Sequence, residues 1–160
     1  MFSDWSSHLA IDHAQIDHDH KNIIESIERL YQMSDTESAF EEIEDSFHDL
    51  LDIMAIHFAR EEGIMVQTKY FDCAKHTKEH DYLLEIYGSY FYEKDARSQE
   101  VRRQILQDLS MILIGHIKEF DQPLACHCQK LAVLSVDGLG VRDIASRTDA
   151  TRILHQLHSA

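Results

Sequence analysis

His57-Phe-Ala-Arg-Glu61 and, a short turn later, His76-Thr-Lys-Glu-His80 are the two stretches on which the fold of this chain can be read. On a helix, residues four apart lie on one face. His57 with Glu61, and His76 with His80, can therefore each reach one interior from its own helix. Downstream, His116 and Asp121 offer a further nitrogen and carboxylate, and upstream His20 sits in Ile16-Asp-His-Asp-His20-Lys21. An HxxxH pair alone carries little weight in a chain with twelve histidines, because about one arises by chance. The set is different. Glu61 and Asp121 buried without partners would cost several kcal/mol, and cations turn that penalty into attraction. Five imidazoles and two carboxylates on four successive helical segments are too many ligands for one structural metal, which closes at four. The donors are rich in nitrogen and lack sulfur, which suits iron, zinc, copper or manganese rather than calcium or magnesium.

Composition supports a helical host. The 160 residues suit one domain, and 44% of them are hydrophobic, enough for a core at this length. One proline and five glycines leave little punctuation, so an all-α chain is expected. The net charge of −14 disfavours nucleic acid and anionic lipid as partners. No apolar run approaches membrane-spanning length. Met1-Phe-Ser-Asp-Trp5 lacks the regions of a signal peptide, and three cysteines argue against a disulfide framework. A cytoplasmic location is the expectation.

Apolar periodicity predicts four helices. The first should run from Asp12 or Asp17 to Met33, with Trp5, Leu9 and Ile11 covering one end or side of the bundle. Ser34-Asp-Thr-Glu37 reads as a capping box opening the second helix, which carries Phe40, Ile43, Phe47, Leu50, Met54, Phe58 and Met65 inward and ends near Gln67. Asp72 should cap the third helix, with Cys73, Leu83, Leu84 and Tyr87 beside the histidines. After a break at Lys94–Ser98, Val101, Ile105, Leu109, Ile112, Leu113, His116 and Phe120 mark the fourth. Connections this short predict an up-down-up-down antiparallel four-helix bundle. Pro123 should kink or end the last helix. The spacing of five between His116 and Asp121, about 140° on an ideal helix, demands a wide site or a local distortion. The expected division is a bundle over residues 1–125 and an extension over 126–160. In the extension, Val136–Gly140 reads as a turn and Asp149 as the cap of a short helix.

These motifs resemble those of the hemerythrin family. Ile16-Asp-His-Asp-His20-Lys21 is similar to the family's first-helix motif, and His57-Phe-Ala-Arg-Glu61-Glu-Gly-Ile-Met65 to its second. His76-Thr-Lys-Glu-His80 matches the third and His116-Ile-Lys-Glu-Phe-Asp121 the fourth. The resemblance spans about residues 5–125 and includes Trp5. It implies two irons joined by an oxo or hydroxo bridge, with His76, His80 and His116 on one iron. His20 and His57 would hold the second, leaving a place for dioxygen, and Glu61 and Asp121 would bridge. Ile24, Phe58 and Ile117, close to ligands in the chain, are candidates for the wall of the dioxygen pocket. The implied function is reversible dioxygen binding, as a carrier or store or as the input domain of an oxygen or redox sensor, not as an enzyme. The extension would then lead to a fused or downstream signalling domain, or mediate homo-oligomer formation. A di-iron peroxidase, or a protein handling iron or nitric oxide, is the competing class. Cys126-His-Cys128 could be half of a zinc site, and Cys73 reads as a small core residue. His8, His13, His18, His48, His155 and His158 read as solvent-facing.

Overall fold

The computed structural model describes residues 10–11, 13–34, 36, 39–93 and 98–137. Among these residues every regular element is a helix, and there is no strand. Helix α1 spans Ala14–Ser34, α2 Phe40–Thr68, α3 Cys73–Glu93 and α4 Gln99–His116. A π-turn over Ile117–Asp121 joins α4 to α5, Gln122–Asp137. Each of the first four helices packs against its neighbour in the chain, and α4 closes back on α1. This is the four-helix bundle expected from the periodicity.

On α2, α3 and α4 the inward stripes are the apolar ones read from the sequence. Ile16, Ile23, Ile27 and Leu30 of α1 meet Ile43, Phe47, Leu50 and Met54 of α2, Leu83 and Tyr87 of α3, and Ile105, Leu109 and Leu113 of α4. Each such side chain contributes about 1.5–3 kcal/mol by leaving water, so this layer is the main apolar support of the bundle. Ile11 joins the same core, whereas Trp5 and Leu9 lie outside the described residues. A smaller cluster of Met65, Tyr70 and Leu124 forms further along the helices. On α2 the order is Met54, then His57 and Glu61, then Met65, so the polar centre lies between two apolar layers.

Local chemistry sets the helix ends. Asp17 accepts the amides of Ile11 (2.8 Å) and His13 (3.1 Å), which ties the entering segment to the first turn of α1. His13, expected to face solvent, is half-buried there, and its Nδ1 accepts the Ile16 amide. The capping-box reading of Ser34 is overturned. Ser34 is the last residue of α1, its hydroxyl donates to the Leu30 carbonyl at 2.8 Å, and α2 begins at Phe40. A serine hydroxyl that can return to the carbonyl four residues back satisfies itself inside a helix just as well as at a cap. Helix α2 ends at Lys69, whose left-handed φ of 53° lets the amides of Lys69 and Tyr70 close on Val66 and Met65. The Asp72 carbonyl accepts the amides of Lys75 and His76, so α3 does start directly after Asp72.

Pro123 does not end the helical path. The chain passes through the π-turn, in which the Gln122 amide bonds to the Ile117 carbonyl five residues back, and continues as α5. The turn shifts the register by one residue, so Pro123 falls in the first turn of a new helical segment, where its missing N–H is tolerated. Val136 and Asp137, expected in a turn, belong to α5. The rest of that turn, the proposed helix after Asp149, and the Lys94–Arg97 part of the expected break lie outside the described residues.

Candidate metal centre

All seven predicted side chains converge. His20, His57, Glu61, His76, His80, His116 and Asp121 are buried, and the two carboxylates have no exposed surface. Their donor atoms form two overlapping sets, each with members within 4.8 Å of one another. One set comprises Glu61, His76, His80, His116 and Asp121; the other comprises His20, His57, Glu61 and Asp121.

The π-turn makes this possible. On an ideal α-helix, Asp121 would point about 140° away from His116. A turn closed by i→i+5 bonds brings residues five apart back onto one face. Accordingly His116 Nε2 lies 3.1 Å from Asp121 Oδ1. The distortion demanded by the spacing is thus present, and it sits between the two residues that need it.

The two oxygens of Asp121 face different histidines. Oδ1 stands 3.1 Å from Nε2 of His76 and of His116, whereas Oδ2 stands 3.2 Å from Nε2 of His20. Glu61 Oε2 lies 3.3 Å from His80 Nε2, 3.6 Å from His76 Nε2 and 3.8 Å from His57 Nε2. Two ligands about 2.1 Å from one ion, at right angles, are about 3 Å apart, so most of these separations suit neighbouring ligands. The inner atoms also want partners. Both Glu61 oxygens and the Nε2 atoms of His57, His80 and His116 are buried without a hydrogen bond. A protein pays for such atoms only where something else satisfies them.

Electrostatics point the same way. Burial, reinforced by Asp121, pushes the Glu61 carboxyl well above its usual range. Burial also pushes Asp121 upward, but the imidazoles of His116, His20 and His76 beside it outweigh that and hold the carboxylate well below its usual range. Two adjacent acids cannot both ionise cheaply, and the one with three imidazole partners keeps the charge. Burial, with His76 and His116 nearby, drives His80 down to about 2, and burial lowers His57. Both imidazoles are therefore neutral at pH 7, with lone pairs free for a cation.

Aromatic rings close the centre. Phe58 stacks on His80 with ring centroids 4.1 Å apart and lies 5.3 Å from His57 and 5.5 Å from His116. Ile117 is fully buried beside His116, but Ile24 is only half-buried, and Ile23 is the residue that enters the core. Adjacent helical residues differ by about 100°, too little for an apolar stripe alone to separate them. Phe120, read from the sequence only as part of the fourth helix's stripe, belongs to the site: it stacks on His116 and approaches His76 (both 5.3 Å) beneath the Lys75 ammonium. Sequence reasoning missed Asp19, which pairs with Arg60 and lies 3.8 Å from His57 Nδ1, and Glu62, which reaches His80 Nδ1 at 3.0 Å. All are within or beside the ligand motifs; the four-residue step from His116 to Phe120 could have signalled that contact, whereas those of Asp19 and Glu62 with the histidines cross between helices and no spacing along one helix announces them.

Cys126-His127-Cys128 does not gather into a metal set among the described residues. His127 Nε2 faces the Thr68 carbonyl, Cys126 is exposed, and burial together with Glu61 raises the Cys128 thiol. Cys73 packs on the smaller apolar cluster. His18 and His48 face solvent as expected, and His8, His155 and His158 lie outside the described residues.

A buried histidine–carboxylate centre between four helices defines a metal-binding four-helix-bundle protein. Residues 12–127 match the family model described as the hemerythrin HHE cation binding domain. A bacteriohemerythrin of Stenotrophomonas maltophilia is 30% identical over 123 residues, covering 76% of this chain and 78% of that protein. One of Methylococcus capsulatus is 28% identical over 106 residues, covering 66% and 80% respectively. No solved structure gives a significant match. The chain belongs to the hemerythrin family. No helix among the described residues is long and apolar enough to cross a membrane.

Proposed function

We propose that the chain binds dioxygen reversibly at a non-haem di-iron centre, as a sensor input domain or an oxygen carrier, and not as an enzyme. The observation that carries this reading is the split of Asp121, with one oxygen towards His76 and His116 and the other towards His20. A carboxylate so placed, together with Glu61, bridges two cations. His76, His80 and His116 hold one iron, and His20 and His57 hold the other with fewer nitrogens, leaving room for an exogenous ligand. When bound, an iron pair would supply the electrons for dioxygen binding. Neutral imidazoles give it less negative charge than a carboxylate-rich set would, which favours reversible binding over further oxidation. Phe58 and Ile117 exclude water. The functional unit is residues 1–125, and residues 126–160 are the extension that would carry a sensor's output.

Metal analysis of protein from iron-replete cells should approach two irons per chain, and aeration of the reduced protein should change its optical spectrum reversibly. One tightly held zinc, or a spectrum indifferent to air, overturns the reading. Ile117→Ala removes a fully buried wall beside His116. It should retain iron and hasten oxidation of the reduced protein in air by roughly tenfold, equivalent to about 1.4 kcal/mol. An unchanged rate at equal iron content makes Ile117 plain core.

A further inference from the structure

The five imidazoles are not supported alike from outside. Each turns Nε2 towards Glu61 or Asp121. At the outer nitrogen, Nδ1 of His20, His76 and His116 has no hydrogen-bond partner among the described residues, and that of His57 lies 3.8 Å from Asp19, beyond hydrogen-bond range. His80 alone among them makes a full outer hydrogen bond, at 3.0 Å to Glu62 Oε1.

Glu62 follows Glu61 on α2, so its side chain leaves the helix about 100° away. Glu61 enters the centre while Glu62 reaches the outer edge of the same His80 ring, from α2 across to α3. Phe58, one turn before Glu62, lies flat against that ring at 12°. Ring plane and ring rotation are thus held separately, by Phe58 and by Glu62. The bond also selects a tautomer. An ionised carboxylate only accepts, so His80 donates from Nδ1 and presents the Nε2 lone pair inward. The other tautomer would aim an N–H at the cation position. Glu62 is partly exposed, with 36% of its side-chain surface in water, so it adds little to the core.

We propose that Glu62 is the positioning residue for the three-histidine metal position, fixing the Nδ1–H tautomer and orientation of His80. This rests on the metal reading above, and it goes beyond it by naming the group that sets one site apart from the other. Outer carboxylates on ligand histidines are typically worth about 10–100-fold in metal affinity.

The test compares the parent with Glu62→Ala, Glu62→Gln and, as a surface-charge control on α3, Glu85→Gln. In the metal-free proteins, ¹⁵N NMR should find His80 as the Nδ1–H tautomer in the parent and in Glu62→Gln, whose amide oxygen still accepts. Glu62→Ala should give a mixture. In the loaded, reduced proteins, release of iron to a ferrous chelator should be at least about tenfold faster for Glu62→Ala, a few-fold at most for Glu62→Gln, and unchanged for Glu85→Gln. Parental tautomer and release in Glu62→Ala overturn the proposal. So does equal damage in the alanine and glutamine variants, which would assign the effect to charge. Should the parent hold no iron, the metal reading fails, and the tautomer measurement on metal-free protein still decides what Glu62 does.

Discussion

Glu61→Gln should fold and hold almost no metal. Glu61 belongs to both donor sets, and its Oε2 lies within 3.8 Å of histidine nitrogens from both. Losing an ordinary ligand weakens one ion, but losing this one weakens two. A drop of more than about 100-fold in affinity is expected, beyond the range for outer-shell groups. The fold should survive because the large apolar layer lies apart from the centre and the amide keeps the carboxyl's shape. In the metal-free protein the change should cost little, since burial already favours the uncharged carboxyl. Metal content and urea midpoints, measured with and without iron, check both halves. His48→Ala, on the exposed face of α2, should match the parent. If the two variants retain equal metal, Glu61 is not shared between ions.

The second large effect is on the metal-free protein, which should lose stability as pH falls below about 6.5. His80 and His57 have folded pKa values below their usual one, His80 at about 2. In the unfolded chain both take up protons near pH 6.5, whereas in the folded chain His57 does so only at lower pH and His80 only at about 2. The unfolded state then binds more protons, so stability falls as pH falls. Glu61 works in the opposite direction. Its raised pKa keeps a proton in the folded state that the unfolded chain releases above its ordinary value, so one of the two histidine protons is offset. Asp19 and Asp121 are held low and matter only under stronger acid. One net proton corresponds to about 1.4 kcal/mol per pH unit. Urea midpoints should therefore fall clearly between pH 7 and pH 5. A rising midpoint would mean that the imidazoles are not buried neutral.

The set of groups and the helices that bear them can be read along the chain alone. His57 with Glu61, and His76 with His80, share a face because four residues make about one helical turn. The apolar residues at matching positions, Met54 and Met65 on α2 and Leu83 and Tyr87 on α3, orient that face towards the interior. These are properties of a single helix, and periodicity reports them directly.

The rest depends on packing between helices. The five-residue step from His116 to Asp121 could have meant a wide site or a distorted helix, and Pro123 argued for a stop. The π-turn resolves both by aligning the two ligands and giving the proline a register in which its missing N–H is tolerated. Ser34 misled because its hydroxyl has two local solutions of similar energy, a cap or a bond back to Leu30. Ile23 and Ile24 are equally apolar neighbours, and only the angle at which α1 packs selects Ile23. The division of Asp121's oxygens, and the reach of Glu62 to His80, join atoms on different helices. Such contacts depend on how helices sit against one another, which no pattern along one helix encodes.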